Sequence, residues 1–165
     1  MTDQAPFSTS DLFDVAPGEV DICDLPFQDL GGVKAFSGRA ATVRTAHHGA
    51  VREILAEPGE GRVLVVEAFA SPPVAMLGDR LAGRAIENGW SGMIVKGAVR
   101  DVRALAGLAI GVKALSRTAR RALDVEARFD SGISIELGQV VVSPGDWIFA
   151  DEDAVLLARR NLLLE

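Results

Sequence analysis

The stretch that decides how this chain folds runs from Met76 to Ala104, MLGDRLAGRAIENGWSGMIVKGAVRDVRA. Leu81, Ala82, Ala85 and Ile86 recur at the spacing of one helical face, and Asn88-Gly89 supplies a stop. Ser91 to Ala98 then reads as a short apolar strand. A helix followed by a strand returns the chain to the side of the layer it left. The segment opens on Gly78-Asp79 and closes, beyond a turn at Gly97-Ala98, on Arg100-Asp101, with twenty residues between Asp79 and Arg100. Its charged ends are therefore expected to meet at one edge of a sheet.

The flanking sequence repeats the pattern. Arg62 to Phe69 is the clearest buried strand, an apolar run bounded by turn residues. Before it, AVREILAEPGEG reads as a helix with Val51, Ile54 and Leu55 on one face and a stop at Pro58-Gly59. FSGRAATVRTA (36–46) alternates partly and reads as a strand, with His47, His48 and Gly49 as the turn that follows. After Asp101, VRALAGL is a short helix and AIGVKAL (109–115) a third apolar strand. Strand, helix, strand, helix, strand from 62 to 115 predicts parallel strands joined by right-handed crossovers.

The outer parts differ. Residues 1–9 read as extended, Ser10 as the cap of a short helix stopped by Pro17-Gly18, and VDICDLPFQDLGG as loop. Beyond residue 128, period-2 patches broken by Gly138, Pro144-Gly145 and Asp151–Asp153 predict short strands, some antiparallel. The tail ARRNLLLE reads as a helix or strand end, with Leu162–Leu164 a candidate subunit contact.

At 165 residues, 48% of them hydrophobic, the chain is expected to form one domain, 1–165, around a packed core. A net charge of −6 argues against a basic nucleic-acid footprint. The single Cys23 cannot close an internal disulfide, which points to a reducing compartment. With no apolar run of membrane-spanning length and no signal-peptide core, a cytoplasmic protein is expected, with no membrane partner.

Few residues here are chemically suggestive. Gly78-Asp79 can simply open a helix, where an acid favours the positive dipole end. The same geometry offers free N–H groups to a ligand anion, and Gly78 allows close approach to the main chain. Arg100-Asp101 can be a weak surface ion pair. It also follows an apolar strand at its C-terminal end, where ligands of open α/β sheets bind. Arg suits a planar carboxylate, and Asp is a hard oxygen ligand for magnesium or manganese. His47-His48 lacks the matched ligands of a zinc site and reads as a solvated turn. Cys23 has no partner that would make it reactive. Arg117, Arg120 and Arg121 read as a solvated face, with an anion or partner site as the lesser alternative. No Walker loop and no Gly-x-Gly-x-x-Gly opens a helix, which weakens ATPase, dehydrogenase and nucleotide-dependent methyltransferase readings.

Taken together, the pattern Gly78-Asp79, twenty residues, Arg100-Asp101 resembles the family of the regulator of ribonuclease activity A (RraA), whose relatives include class II 4-hydroxy-4-methyl-2-oxoglutarate aldolases. CDLPFQDLGGVKAFSGRAATV, LAEPGEGRVLVV, NGWSGMIVKGAVRDV, IGVKAL and PGDWIFADEDAV carry the likeness along most of the chain. The resemblance implies an α/β fold of the swivelling β/β/α type, a central mixed sheet with flanking helices. It implies a ring-shaped homotrimer with sites between subunits, and a divalent metal cation, Mg2+ or Mn2+, as cofactor. By carry-over, Gly78, Asp79, Arg80 and Leu81 cradle the carboxylate of a small 2-keto acid, and Arg100 contacts the substrate. Asp101 anchors the metal, and Asp79 positions or activates a metal-bound water. The implied activity is lyase chemistry: cleavage of 4-hydroxy-2-keto acids to pyruvate, with oxaloacetate decarboxylation. The alternative it implies is a non-catalytic trimer that binds and inhibits ribonuclease E.

The chain departs from the family in places. AFASPPVA stands where a Gly-rich loop is expected, so Phe69 and Pro72-Pro73 are expected to narrow or reshape the entrance. SRTARRA (116–122) stands where Gly and Pro are usual near a basic residue. The acidic turn ends in Ala154 where Gly is usual. The longer C-terminal segment by which the aldolases proper send an acid into a neighbouring subunit is expected to be missing.

Overall fold

The computed structural model describes residues 7–123 and 128–164. The chain opens with helix α1 (Thr9–Val15), edge strand β1 (Val20–Cys23), the two-residue strand β2 (Gln28–Asp29) and the long strand β3 (Phe36–Thr45). Then come α2 (His48–Leu55), β4 (Val63–Ala68), α3 (Asp79–Glu87), β5 (Gly92–Val99), α4 (Val102–Leu105) and β6 (Gly111–Arg117). Five short strands complete it: β7 (Phe129–Ser131), β8 (Ile135–Leu137), β9 (Val140–Val142), β10 (Trp147–Ala150) and β11 (Val155–Ala158).

A mixed sheet of nine strands, ordered β1-β11-β10-β3-β4-β5-β6-β2 with β7 also on β3, forms the centre. β3, β4, β5 and β6 are parallel, as the alternation of strand and helix predicts. The remaining pairs are antiparallel, and β8 with β9 forms a separate ribbon. β4 is apolar at successive positions because both its faces are covered. Leu64 and Val66 enter the core beneath α2 and α3, while Val63 and Val65 enter the core shared with β8 and β9. β5 divides likewise, Met93 and Val95 to one side and Ile94 to the other. Val51, Ile54 and Leu55 of α2 and Ala82 and Ala85 of α3 face the helical core, as their spacing predicts.

Phe36 lies flat on the sheet over two paired glycines, Gly92 and Gly111. A Cβ at either would run into its ring. Gly111→Ala is therefore expected to cost about 1–3 kcal/mol through overpacking. The check is a urea unfolding curve, with a fall in midpoint at unchanged slope.

Several local expectations are corrected. α1 starts at Thr9, capped by Ser8 rather than Ser10, with Ser8 Oγ accepting from Asp11 N–H. The buried Asp151 carboxylate sets that start, accepting from Thr9 N–H at 2.7 Å and Thr9 Oγ–H at 2.6 Å. The expected loop 20–32 contains β1 and β2. β1 buries only Cys23, so its apolar signal is weak, and its pairing comes from the apolar β11. β2 is held by Lys113, buried in β6, whose Nζ lies 2.9 Å from Asp29 Oδ1. Gly97-Ala98 is not a turn: β5 continues to Val99 through a register shift between Val95 and Ala98. That extension pairs Val99 with Arg117 and carries β6 past the expected end at Leu115. His48 and Gly49 lie inside α2, with His47 as its cap. After β11 the tail forms neither helix nor strand among the described residues, and Leu163 and Leu164 are exposed. No helix among the described residues is long and apolar enough to cross a membrane.

Candidate active site

The two charged ends of the organising segment meet. β4 leads into a loop that comes back along the end of β5, where Ala75 bridges Ala98 in parallel fashion. Met76 N–H donates to Ala98 O, and Arg100 N–H donates to Leu77 O, each at 2.9 Å. These bonds lay Gly78-Asp79, the start of α3, against Arg100-Asp101 at the C-terminal end of β5.

Asp101 occupies the cap position of α4 but does not cap it. Its backbone is left-handed, φ 61° and ψ 38°, and its side chain makes no bond to its own helix. An aspartate tolerates this region better than most residues. The carboxylate turns instead to the neighbouring helix, where Oδ2 accepts from Asp79 N–H at 3.1 Å. Arg100 Nε lies 3.9 Å from the same oxygen. Gly78 makes this approach possible, because a Cβ there would stand 2.5 Å from Asp101 Oδ2. Gly78 also brings no capping side chain to α3. Among the described residues the first-turn N–H groups of Arg80 and Leu81 therefore have neither an intrahelical partner nor a cap, and remain available to an anion.

These residues open onto a cavity of about 730 Å³. Gly78, Asp79, Arg80, Leu81, Arg100 and Asp101 all line it, so every site residue expected from the sequence is brought together. A smaller cavity of about 400 Å³ lies on the other side of Arg100 and Asp101, bordered by Arg117 and Thr118. Of the AFASPPVA loop, Ala75 lines the large cavity, while Phe69 and Pro72-Pro73 line neither cavity.

The sequence reading missed His48, Arg52 and Arg84, and gave Arg121 mainly to a solvated face; all four line the large cavity. A signal existed for two pairs: His48 and Arg52, and Arg80 and Arg84, are each four apart on a helix and so share a face. The histidines are half-buried rather than a solvated turn, with rings stacked at 4.4 Å between centroids. His47 Nδ1 accepts from Gly49 N–H and so caps α2. Burial first, then the charges of His47, Arg52, Arg100 and Arg121, push the His48 imidazole below its usual pKa. That shift favours the neutral imidazole, so the cavity's positive charge comes chiefly from arginine.

Among the described residues no group of three or more His, Cys, Asp or Glu side chains could hold a metal. The donors thus do not fit a zinc-type cage. They do fit a hard cation such as magnesium or manganese. Such ions take one or two protein carboxylates and complete their shell with water and substrate oxygens.

The family profile described as RraA-like, Aldolase/RraA, matches residues 9–157. The chain belongs to the RraA-like family. Proteins of this family from Alkalilimnicola ehrlichii and Xanthomonas campestris pv. campestris, both provisionally named 4-hydroxy-4-methyl-2-oxoglutarate aldolases, are similar to it. The first is 39% identical over 94% of this chain and 96% of its own length. The second is 40% identical over 96% of this chain and 95% of its own length. Among solved structures, the RNA-processing inhibitor RraA from Thermus thermophilis superposes with a TM-score of 0.86 at 35% identity, covering 94% of each chain. A Geobacillus kaustophilus protein titled an S-adenosylmethionine: 2-dimethylmenaquinone methyltransferase superposes at 0.91 with 38% identity, covering 96% of this chain and 99% of its own. The mixed sheet with flanking helices described above is thus the RraA-like fold.

Proposed function

We propose that this RraA-like chain is a divalent-metal-dependent class II aldolase. It would cleave 4-hydroxy-4-methyl-2-oxoglutarate-type 4-hydroxy-2-keto acids to pyruvate and would decarboxylate oxaloacetate. The observation that carries the reading is the Asp101 carboxylate, held off its own helix and set between Arg100 and the uncapped start of α3. Residues in such sparsely populated backbone conformations cluster at active sites. The provisional names of relatives 39–40% identical over nearly the whole chain support the same class.

In this reading Arg100 and the N–H groups of Arg80 and Leu81 hold the carboxylate next to the keto group. Asp101 would hold Mg2+ or Mn2+, which would supply Lewis-acid stabilisation of the negative charge that develops during cleavage. The bond between C3 and C4 breaks and its electron pair passes to the keto oxygen, leaving the enolate of pyruvate. The C4 hydroxyl loses its proton as C4 becomes a carbonyl, and C3 then takes up a proton to complete pyruvate. Asp79, exposed at the cavity wall, would hold the water that takes and returns that proton. With oxaloacetate the same bond breaks and carbon dioxide leaves, so one centre serves both substrates.

The test is pyruvate release from both substrates, with and without magnesium or manganese. Turnover that a chelator abolishes and added metal restores is the expected result. Full turnover in the presence of chelator would remove the metal from the scheme. A competing reading, a trimer that binds and inhibits ribonuclease E, draws on the relative titled an RNA-processing inhibitor. Capture of ribonuclease E by a chain without turnover would favour it.

A further inference from the structure

Away from the site, several cationic side chains are partnered. Arg44 pairs with Glu67, Lys113 with Asp29, Arg159 with Asp146 and Arg160 with Glu19, at 2.6–3.0 Å. Arg39 and Arg62 lie over the rings of Trp147 and Trp90. The large cavity holds cations that are not. Arg52, Arg84 and Arg121 line it and have no carboxylate within ion-pair distance among the described residues.

The three come from separate elements. Arg52 sits in the last turn of α2. Arg84 lies one turn beyond Arg80 on α3, roughly 7.5 Å along the axis from Asp79. Arg121 follows β6 on a segment fastened beside the cavity. There Thr118 N–H donates to Val99 O at 3.0 Å, and Ala75 N–H donates to Arg120 O at 2.8 Å. Asp79 and Asp101 line the same cavity, but among the described residues neither lies within ion-pair distance of these three guanidiniums. The first anion position, at Arg100 and the start of α3, is separate from Arg84 along α3.

We infer that Arg52, Arg84 and Arg121 form a second anion pole, which receives the distal carboxylate of a 2-keto diacid whose first carboxylate lies on Arg100 and the start of α3. The inference rests on the keto-acid reading above and adds to it the residues that select the diacid. Guanidiniums suit this task, because they stay charged and grip a carboxylate with two parallel N–H donors.

The test uses two unreactive five-carbon acids, 2-oxoglutarate and 2-oxopentanoate, which differ only in the distal carboxylate. Binding of each to the full chain is measured calorimetrically with magnesium present. Wild type is expected to prefer 2-oxoglutarate by at least about tenfold, as for a charge-assisted hydrogen bond. Arg84→Gln and Arg121→Gln should each remove most of that preference and leave 2-oxopentanoate affinity within about twofold. Tight, equal binding of both acids by wild type would overturn the second pole alone, as would a preference that survives both substitutions. Failure of wild type to bind either acid would instead count against the keto-acid reading, and the pole with it. A change of oligomeric state in the variants, seen by size-exclusion chromatography, would assign the arginines to a subunit contact and overturn the proposal.

Discussion

Asp101→Asn is expected to lower pyruvate release by about 10³-fold while the protein stays folded. The size follows from the several kcal/mol that a bound Lewis acid contributes to charge stabilisation, at 1.36 kcal/mol per factor of ten. Asparagine is the informative replacement. Position 101 is left-handed, and Asn shares with Asp the tolerance for that region that Ala lacks. Its side-chain oxygen can still accept from Asp79 N–H, the bond Asp101 makes at 3.1 Å. Only the negative charge is removed, and with it the anchor for a cation in a cavity otherwise rich in arginine. Steady-state assays at saturating metal, paired with a thermal unfolding curve, separate lost chemistry from lost structure. Turnover within tenfold of wild type would leave Asp101 without its assigned role. Unfolding at much lower temperature would instead show that the carboxylate serves chiefly as a brace between α3 and β5.

Periodicity over 62–115 was enough for the parallel strands β4, β5 and β6 and for α3, and over 50–61 for α2, because each buries a face and its residues repeat accordingly. It was enough, too, to bring Asp79 near Arg100-Asp101, since a helix-and-strand unit returns the chain to one edge. β1 and β2 left almost no trace. Their pairing depends on β11 and β6, distant in sequence, and they bury little of their own. The left-handed turn of Asp101 was equally hidden, since local preference favoured a plain helix cap. The second ring of arginines was half visible. The four-residue spacing of Arg80 and Arg84 put them on one face, but only the fastening of residues 118–121 to the ends of β5 and the 71–76 loop brings Arg121 to the same cavity.

Gly78→Ala is expected to lose activity by about 10²-fold with little change in stability, and the contrast is what gives it force. Gly78 has φ −137° and ψ −169°, an extended conformation open to alanine, so no backbone strain arises. The added Cβ would stand 2.5 Å from Asp101 Oδ2 and 3.4 Å from Arg100 Cγ. Both are parts of half-exposed side chains that can swing away at modest cost to the fold. They cannot do so and keep their places, and a misplacement of about 1 Å is worth roughly 10² in rate. Gly83, one turn on in α3, is the matched control, because a Cβ there meets nothing within 4 Å. Gly83→Ala should raise stability by about 0.5–1 kcal/mol through helix propensity and leave turnover unchanged. Parallel kinetics and urea melts on the two variants place the cost in the site or in the scaffold. If Gly78→Ala works as well as Gly83→Ala, the close approach of the Asp101 carboxylate to the α3 start is incidental, and the metal-and-arginine centre built on it falls.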